Sequence, residues 1–188
     1  IMKKILIVDF GDSRPEKIKE LIEDYSIPYI TTNLNAYNDA LDLQPDGIIF
    51  GGGIRDIKSP DAPKINEAIF DLNIPIFGIC SGMEVIALHF NADVGRDIYD
   101  FEKGETETFT NQNSLLFKNL PEKQMTHMFH GYSVETLPKG FTKTAYTNAG
   151  PIAGFENLDL KIYGTIFHPE GKYSQYGSHM FKNFTNSL

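Results

Sequence analysis

The single cysteine of the chain lies in a segment that suits a nucleophile. Cys80 has a glycine two residues away on each side, in the sequence Gly-Ile-Cys-Ser-Gly at 78–82. An apolar run precedes this segment, and a helical pattern of apolar residues begins at Met83. A sharp turn from strand to helix needs small flanking residues, and the N-terminus of the helix favours a thiolate and an oxyanion. We therefore predict that Cys80 is a nucleophile, although most free cysteines are buried core residues.

A thiol nucleophile needs a base, and the base needs a group that orients it. Of the five histidines, His168 differs because it begins the sequence His-Pro-Glu. Proline keeps the preceding residue extended, so Glu170 comes to the same side of the chain as His168. A carboxylate there can hold the imidazole in one tautomer, as the third member of a triad does. The tripeptide alone is equally typical of a surface turn, but beside a cysteine turn it predicts a triad of Cys80, His168 and Glu170.

Three consecutive glycines at 51–53 follow another apolar run. Their backbone N–H groups could bind a phosphate, could face a developing oxyanion, or could simply form a tight turn. The segment lacks the Gly-Lys-Ser/Thr sequence of a P-loop and the acidic residue of a dinucleotide fingerprint, so the phosphate interpretation has no further support.

The segments that would position these residues alternate between strand and helix patterns. Apolar runs without alternation, which favour strands covered on both faces, occur at 5–8, 27–30, 47–50 and 74–79. Helical spacing separates them, as at 65–72. This order predicts an α/β fold with helices on both faces of an open sheet. Such sheets place their sites at the carboxyl ends of the strands, where the glycine run and the cysteine turn would meet.

The pattern changes after about Asp93. Apolar residues alternate with polar or aromatic ones over 160–167, and turn sequences come close together at 137–140 and 148–150. These features predict short, partly antiparallel strands added to the parallel sheet. A last helix is predicted to bury one face, formed by Gly177, Met180, Phe181 and Phe184.

Composition excludes several functional classes. The chain has 188 residues and a formal net charge of -8, and Lys3 and Lys4 form its only adjacent basic pair. Acidic proteins repel phosphate backbones and anionic lipids, so we expect neither nucleic acid nor a membrane as a partner. One cysteine cannot form an internal disulfide, which favours a cytoplasmic location. No apolar run reaches the roughly 18 residues of a membrane span. We predict no metal site.

Three of these segments together resemble the class I, triad-type glutamine amidotransferases: 77–83, the glycine run, and Phe-His-Pro-Glu at 167–170. Within that superfamily the sequence is most similar to the separate glutaminase subunit of GMP synthetase. The similar segments are 7–11, 130–134, 137–141, 163–170, 176–177 and 181–184. The resemblance implies a single domain over residues 2–188 and a three-layer open sheet, mostly parallel and flavodoxin-like, with added antiparallel strands in the C-terminal half.

The resemblance also implies a chemistry. Cys80 would attack the side-chain amide of L-glutamine, His168 would relay protons, and Glu170 would orient it. Water would then hydrolyse the glutamyl thioester after ammonia leaves. The oxyanion and substrate-binding residues would be Gly52, Gly53, Ser81, Glu84, His130, Gly131 and Tyr132, with the backbone N–H groups of Gly53 and Ser81 facing the oxyanion.

The expected partner is a separate ATP-dependent synthetase (ATP-pyrophosphatase), because no ATP-binding module is recognised in this chain. The ammonia would be used to convert XMP into GMP. We expect no cofactor in this chain, and ATP and Mg²⁺ only in the partner synthetase.

The sequence departs from the family pattern around the expected glutamine pocket. Glu84 replaces the usual glutamine, so a negative charge is expected beside the thiolate. Tyr132 replaces an aspartate, and Gly-Lys-Tyr-Ser at 171–174 replaces Val-x-His-Thr or Val-x-His-Ser. Two alternatives therefore stay open. One is a free-standing hydrolase of another γ-glutamyl amide, and the other is a binding or regulatory protein with little catalytic activity.

Overall fold

A computed structural model describes residues 1–11, 14–96, 102–150 and 152–188. The strands are β1 (Lys3–Asp9), β2 (Ser26–Thr32), β3 (Gly47–Phe50), β4 (Ile76–Ile79), β5 (Val94–Gly95), β6 (Glu102–Thr110), β7 (Lys123–His130), β8 (Ser133–Val134), β9 (Thr142–Thr147), β10 (Ile152–Asn157) and β11 (Ile162–Thr165). The α-helices are α1 (Pro15–Ile22), α2 (Ala36–Leu43), α3 (Ser81–His89) and α4 (Gly177–Asn186). A 3₁₀ helix covers Glu67–Leu72. Within these described ranges, no helix is long and apolar enough to cross a membrane.

All of these strands belong to one mixed sheet. Its main order is β2-β1-β3-β4-β11-β10-β9-β6-β7, and the short strands β5 and β8 pair beside β10. The pairings from β2 to β11 are parallel. From β11 to β7 they are antiparallel. The predicted α/β sheet with antiparallel strands in the C-terminal half is confirmed, and the antiparallel part is larger than the sequence pattern indicated.

The apolar runs form the strands of the parallel half of the sheet. All but one of these strands are buried as predicted. The four residues of β3 and the four of β4 are all buried, and so are residues 5–8 of β1. The expectation that the run at 27–30 is covered on both faces is wrong, because β2 is an edge strand that pairs only with β1 within the described sheet. Ile27 is 40% exposed and Tyr29 is 43% exposed. Pro28 fits this position, since an edge strand can do without one N–H group.

The helical spacing at 65–72 produces a shorter element than an α-helix. Asn66 caps the 3₁₀ helix by accepting a hydrogen bond from the Ala68 N–H at 3.1 Å, and Asn73 ends it with a left-handed backbone (φ 57°). Only six residues lie between these caps, about half the mean length of an α-helix. The last helix, α4, buries Met180, Phe181 and Phe184 completely, as predicted.

Candidate active site

Cys80 occupies a strained turn between β4, which ends at Ile79, and α3, which begins at Ser81. Its backbone angles are φ 55° and ψ −116°, a combination that non-glycine residues rarely adopt. The Cys80 N–H donates to the Thr165 carbonyl at 2.7 Å, which fixes the turn against β11. A Cβ atom at Gly78 would lie 2.5 Å from Cδ1 of Ile86, so this position has no room for a side chain. The turn expected from the glycine spacing is therefore present.

The structure brings His168 and Glu170 to this turn. Nδ1 of His168 lies 2.6 Å from Oε1 of Glu170, and the His168 side chain is also hydrogen-bonded to Cys80. Burial alone would lower the pKa of His168, but the adjacent Cys80 and Glu170 raise it well above its usual value. His168 is therefore expected to carry a proton at neutral pH. A protonated imidazole beside a cysteine favours the thiolate, which is the reactive form of a cysteine nucleophile.

The glycine run at 51–53 closes one side of the site. A Cβ atom at Gly52 would lie 3.2 Å from Cβ of Cys80 and 3.1 Å from Cε1 of His168. Gly53 has a left-handed backbone, with φ 107°, which glycine adopts without strain. The position beside the nucleophile favours the oxyanion interpretation of this run over a phosphate site. Donation by Gly53 to an oxyanion stays a prediction.

Ser81 links the glycine run to α3. The Ile54 N–H donates to Oγ of Ser81 at 3.0 Å, which holds the loop after the glycines against the start of the helix. Ser81 is the first residue of α3, and the first N–H groups of a helix have no acceptor within the helix. Its backbone N–H can therefore serve an anion beside Cys80.

Glu84 is buried, and burial changes the charge that the sequence predicted for it. The side chain is only 2% exposed, one helical turn after Cys80, and its N–H donates to the Cys80 carbonyl at 3.2 Å. Burial raises the pKa of Glu84 to about 8. The prediction that Glu84 places a negative charge beside Cys80 is therefore wrong at neutral pH. At that pH the buried carboxyl group of Glu84 is mainly protonated. A protonated carboxyl group offers one donor and one acceptor, as a side-chain amide does in outline.

His130 is held within the protein. Its Nδ1 lies 2.7 Å from the Tyr132 carbonyl, and its Nε2 lies 2.9 Å from Oε1 of the buried Glu102. Since both ring nitrogens are engaged, His130 positions the turn that contains Gly131, and a direct substrate contact by His130 stays a prediction. The Tyr132 hydroxyl donates to Oδ1 of Asp56 at 2.6 Å, so the turn also contacts the segment that follows the glycine run. Substrate contacts by Gly131 and Tyr132 stay predictions.

Several site contacts involve residues that the sequence did not single out. The Phe129 carbonyl in β7 lies 3.6 Å from Sγ of Cys80, within reach of a hydrogen bond from the protonated thiol. His127, two residues earlier in β7, forms an isolated antiparallel bridge with His168. Backbone carbonyls carry no residue-type signal, and the bridge joins segments far apart in sequence. In the part of the chain that the structure describes, no cluster of three His, Cys, Asp or Glu side chains could hold a metal ion.

Comparisons with known proteins agree with this geometry. The family model described as glutamine amidotransferase class-I matches residues 6–188. A protein from Listeria innocua named GMP synthase [glutamine-hydrolyzing] is 37% identical over 191 residues, covering 99% of this chain and 36% of the relative. A protein of the same name from Borrelia garinii is 39% identical, covering 97% of this chain and 35% of the relative. The chain thus spans about a third of the length of these curated relatives.

Solved structures show the same fold. A protein from Thermoplasma acidophilum, described as a candidate subunit of GMP synthase, has a TM-score of 0.87 and 30% identity, covering 99% of this chain and 94% of its own. A glutamine amidotransferase from Thermotoga maritima has a TM-score of 0.74 at 18% identity, covering 100% of this chain and 82% of its own, which supports the fold alone. The match over residues 6–188 places this chain in the class-I glutamine amidotransferase family.

Proposed function

We propose that the protein hydrolyses L-glutamine to glutamate and ammonia through a thioester on Cys80. One observation carries this proposal: Cys80, on a strained turn at the carboxyl end of β4, is connected to His168, which is hydrogen-bonded to Glu170. Family membership over nearly the whole chain points to the same reaction.

The chemistry follows from the contacts. The Cys80 thiolate attacks the side-chain carbonyl carbon of glutamine, and the oxyanion that forms accepts hydrogen bonds from the N–H groups of Gly53 and Ser81. His168 gives its proton to the leaving amine, so the C–N bond breaks and ammonia departs. His168 then takes a proton from water, whose oxygen attacks the thioester carbonyl. Glutamate leaves and Cys80 is regenerated, while Glu170 keeps the imidazole oriented throughout.

The ammonia is used, in our proposal, by a separate ATP-dependent synthetase that converts XMP into GMP in the cytoplasm. The names of the curated relatives support this assignment. So does the Thermoplasma acidophilum protein, which is described as one subunit of GMP synthase and is covered over 94% of its length. ATP and Mg²⁺ would then bind only to the partner, and this chain would need no cofactor.

Ammonia and glutamate release from glutamine, measured with and without a GMP-forming synthetase, tests the function. We expect glutamine turnover that rises when synthetase, XMP and ATP are present. Cys80→Ala is the control, because it removes only the sulfur atom of the nucleophile. Absence of glutamine turnover under both conditions would contradict the proposal.

A second candidate function is favoured by the buried Glu84. Because this residue is protonated rather than an amide, the pocket could prefer a γ-glutamyl amide other than glutamine. Robust turnover of a γ-glutamyl conjugate without a synthetase, with glutamine inert, would support that hydrolase over the glutaminase. If neither class of substrate reacts and a glutamine-like diazo ketone fails to label Cys80, the protein acts as a binding or regulatory homologue.

A further inference from the structure

A second histidine lies beside the triad and is not accounted for by the proposed mechanism. The backbone of His127 in β7 is hydrogen-bonded to His168 directly and also through Ser174. The His127 carbonyl accepts from the His168 N–H at 2.8 Å, and the His127 N–H donates to Oγ of Ser174 at 3.0 Å. Ser174 in turn donates to the His168 carbonyl at 2.6 Å. These three hydrogen bonds fix the two histidines in register.

The His127 ring is confined by the residues that follow Glu170. Its centroid lies 6.0 Å from that of His168, with the planes at 76°. Tyr173 stacks on it at 5.2 Å and 28°. A Cβ atom at Gly171 would lie 2.6 Å from Nδ1 of His127, so the nitrogen faces the backbone directly after Glu170. Glycine at position 171 therefore leaves the space that the His127 ring occupies next to this segment.

Two buried polar atoms in this region lack partners among the described residues. Oε1 of Glu170 is bonded to His168, but Oε2 is buried without a hydrogen bond, and so is Nδ1 of His127. A buried polar atom without a partner is unfavourable, because it has given up its hydrogen bonds to water. One of these atoms is a carboxylate acceptor and the other is a ring nitrogen that can carry a proton, so their chemistry is complementary.

His127 is favoured in its neutral form, in which it can still donate one hydrogen bond. Burial lowers the pKa of His127, and the charges of His168, Lys172 and Arg14 lower it further, whereas Glu170 raises it. A neutral imidazole can hold its single proton on Nδ1. Such a donor orients a carboxylate without adding a positive charge that would compete with His168.

We propose that His127 is a positioning residue for the triad, whose Nδ1–H donates to Oε2 of Glu170 in the reactive state and keeps Oε1 turned toward His168. This proposal rests on the proposed function for its consequence in glutamine hydrolysis. The positioning of Glu170 and His168 affects the reactivity of Cys80 itself, so the role of His127 can be tested without a substrate.

The test is the alkylation of Cys80 by iodoacetamide, which reports how much thiolate is present. Cys80 is the only cysteine, so the modification is unambiguous. His127→Phe keeps a flat ring for Tyr173 and removes the donor, whereas His127→Asn places an amide donor where Nδ1 was. At pH 7 we expect roughly tenfold slower alkylation in H127F and a rate close to the native one in H127N. His179→Asn, a change at an exposed histidine, is the control.

Equal rates in H127F and the native protein, or equally slow rates in H127F and H127N, would overturn the proposal. If H127F does not fold, Gly171→Ala decides, because its new methyl group displaces the ring while His127 is retained. Slow alkylation in that variant supports the proposal, and a native rate contradicts it. For the native enzyme and H127N, glutamine turnover should follow the alkylation rates with little change in KM. Loss of turnover alone, with the alkylation pattern intact, would refute the glutaminase and leave the positioning role standing.

Discussion

His168 is held in its protonated form by its two neighbours. Burial opposes the charge, but Cys80 and Glu170 outweigh it, and they raise the pKa of the imidazole. His168→Ala removes both the proton donor and the charge that stabilises the thiolate. We expect kcat/KM for glutamine to fall by roughly 10²–10⁴-fold. Labelling of Cys80 by a diazo-ketone analogue should also become slow in this variant, and rapid labelling would show that Cys80 is activated by another group.

The raised pKa of Glu84 predicts that KM for glutamine depends on pH. Because burial raises the pKa of Glu84 to about 8, the carboxyl group is a donor at pH 7 and loses its proton as the pH rises toward about 9. We expect KM for glutamine to increase over that range in the native protein and to stay flat in Glu84→Gln. Steady-state kinetics at matched pH values measure this. A pH-independent KM in both proteins would show that Glu84 does not contact the substrate.

Glu84 also makes the free energy of unfolding depend on pH, because its pKa differs between the native and unfolded states. The native state binds the Glu84 proton more tightly than the unfolded state, because the carboxyl pKa is raised on folding from 4.5 to about 8. Between those values the unfolded chain releases the proton and the native protein keeps it, so stability falls as pH rises. Glu84→Gln removes this loss. Its Tm should therefore exceed that of the native protein by more at pH 8 than at pH 5, and a constant difference would contradict the assigned pKa.

At the scale of elements, the start of α3 is packed against the glycine run. A Cβ atom at Gly82 would collide with the Phe50 carbonyl oxygen and lie 3.0 Å from the Gly51 carbonyl oxygen. These are backbone atoms that cannot swing away. Gly82→Ala should therefore separate α3 from the glycine run, cost about 1–3 kcal/mol of stability and abolish most activity. Leu88→Ala, an exposed change in the same helix, is the control for thermal unfolding and glutamine turnover. Full activity in Gly82→Ala would show that this packing does not position the site.

Elements whose signals are local could be predicted from the sequence. The Cys80 turn follows from glycines two residues away, and the extended His-Pro-Glu segment follows from its proline. Features set by distant pairings could not be predicted. The edge position of β2 depends on which strand lies beside β1, and the approach of His127 to His168 joins residues from β7 and the segment after β11. The neutral state of Glu84 depends on burial by the whole fold, so its residue type alone indicated the wrong charge.

On the scale of the whole molecule, α4 closes the core beneath the parallel strands. Phe181 is completely buried, and its ring centroid lies 5.7 Å from that of Phe77 in β4. Phe181→Ala should lower the free energy of unfolding by about 3–5 kcal/mol. Urea titration measures this, with Ser178→Ala on the exposed side of α4 as the control. A loss below about 1 kcal/mol would mean that α4 contributes little to the core.

The position of β11 has a consequence for how the protein folds. This strand follows β10 in sequence, yet it lies between β4 and β10 and joins the parallel half of the sheet to the antiparallel half. Until residues 162–165 are in place, β4 and β10 each present an open edge, and the Cys80 N–H lacks its acceptor on Thr165. Pairings between such distant segments close large loops and slow the rate-limiting step. During synthesis the nucleophile is thus made long before the strand that fixes its backbone, so a nascent chain that has not yet reached β11 lacks the acceptor of the Cys80 N–H as well as His168 and Glu170.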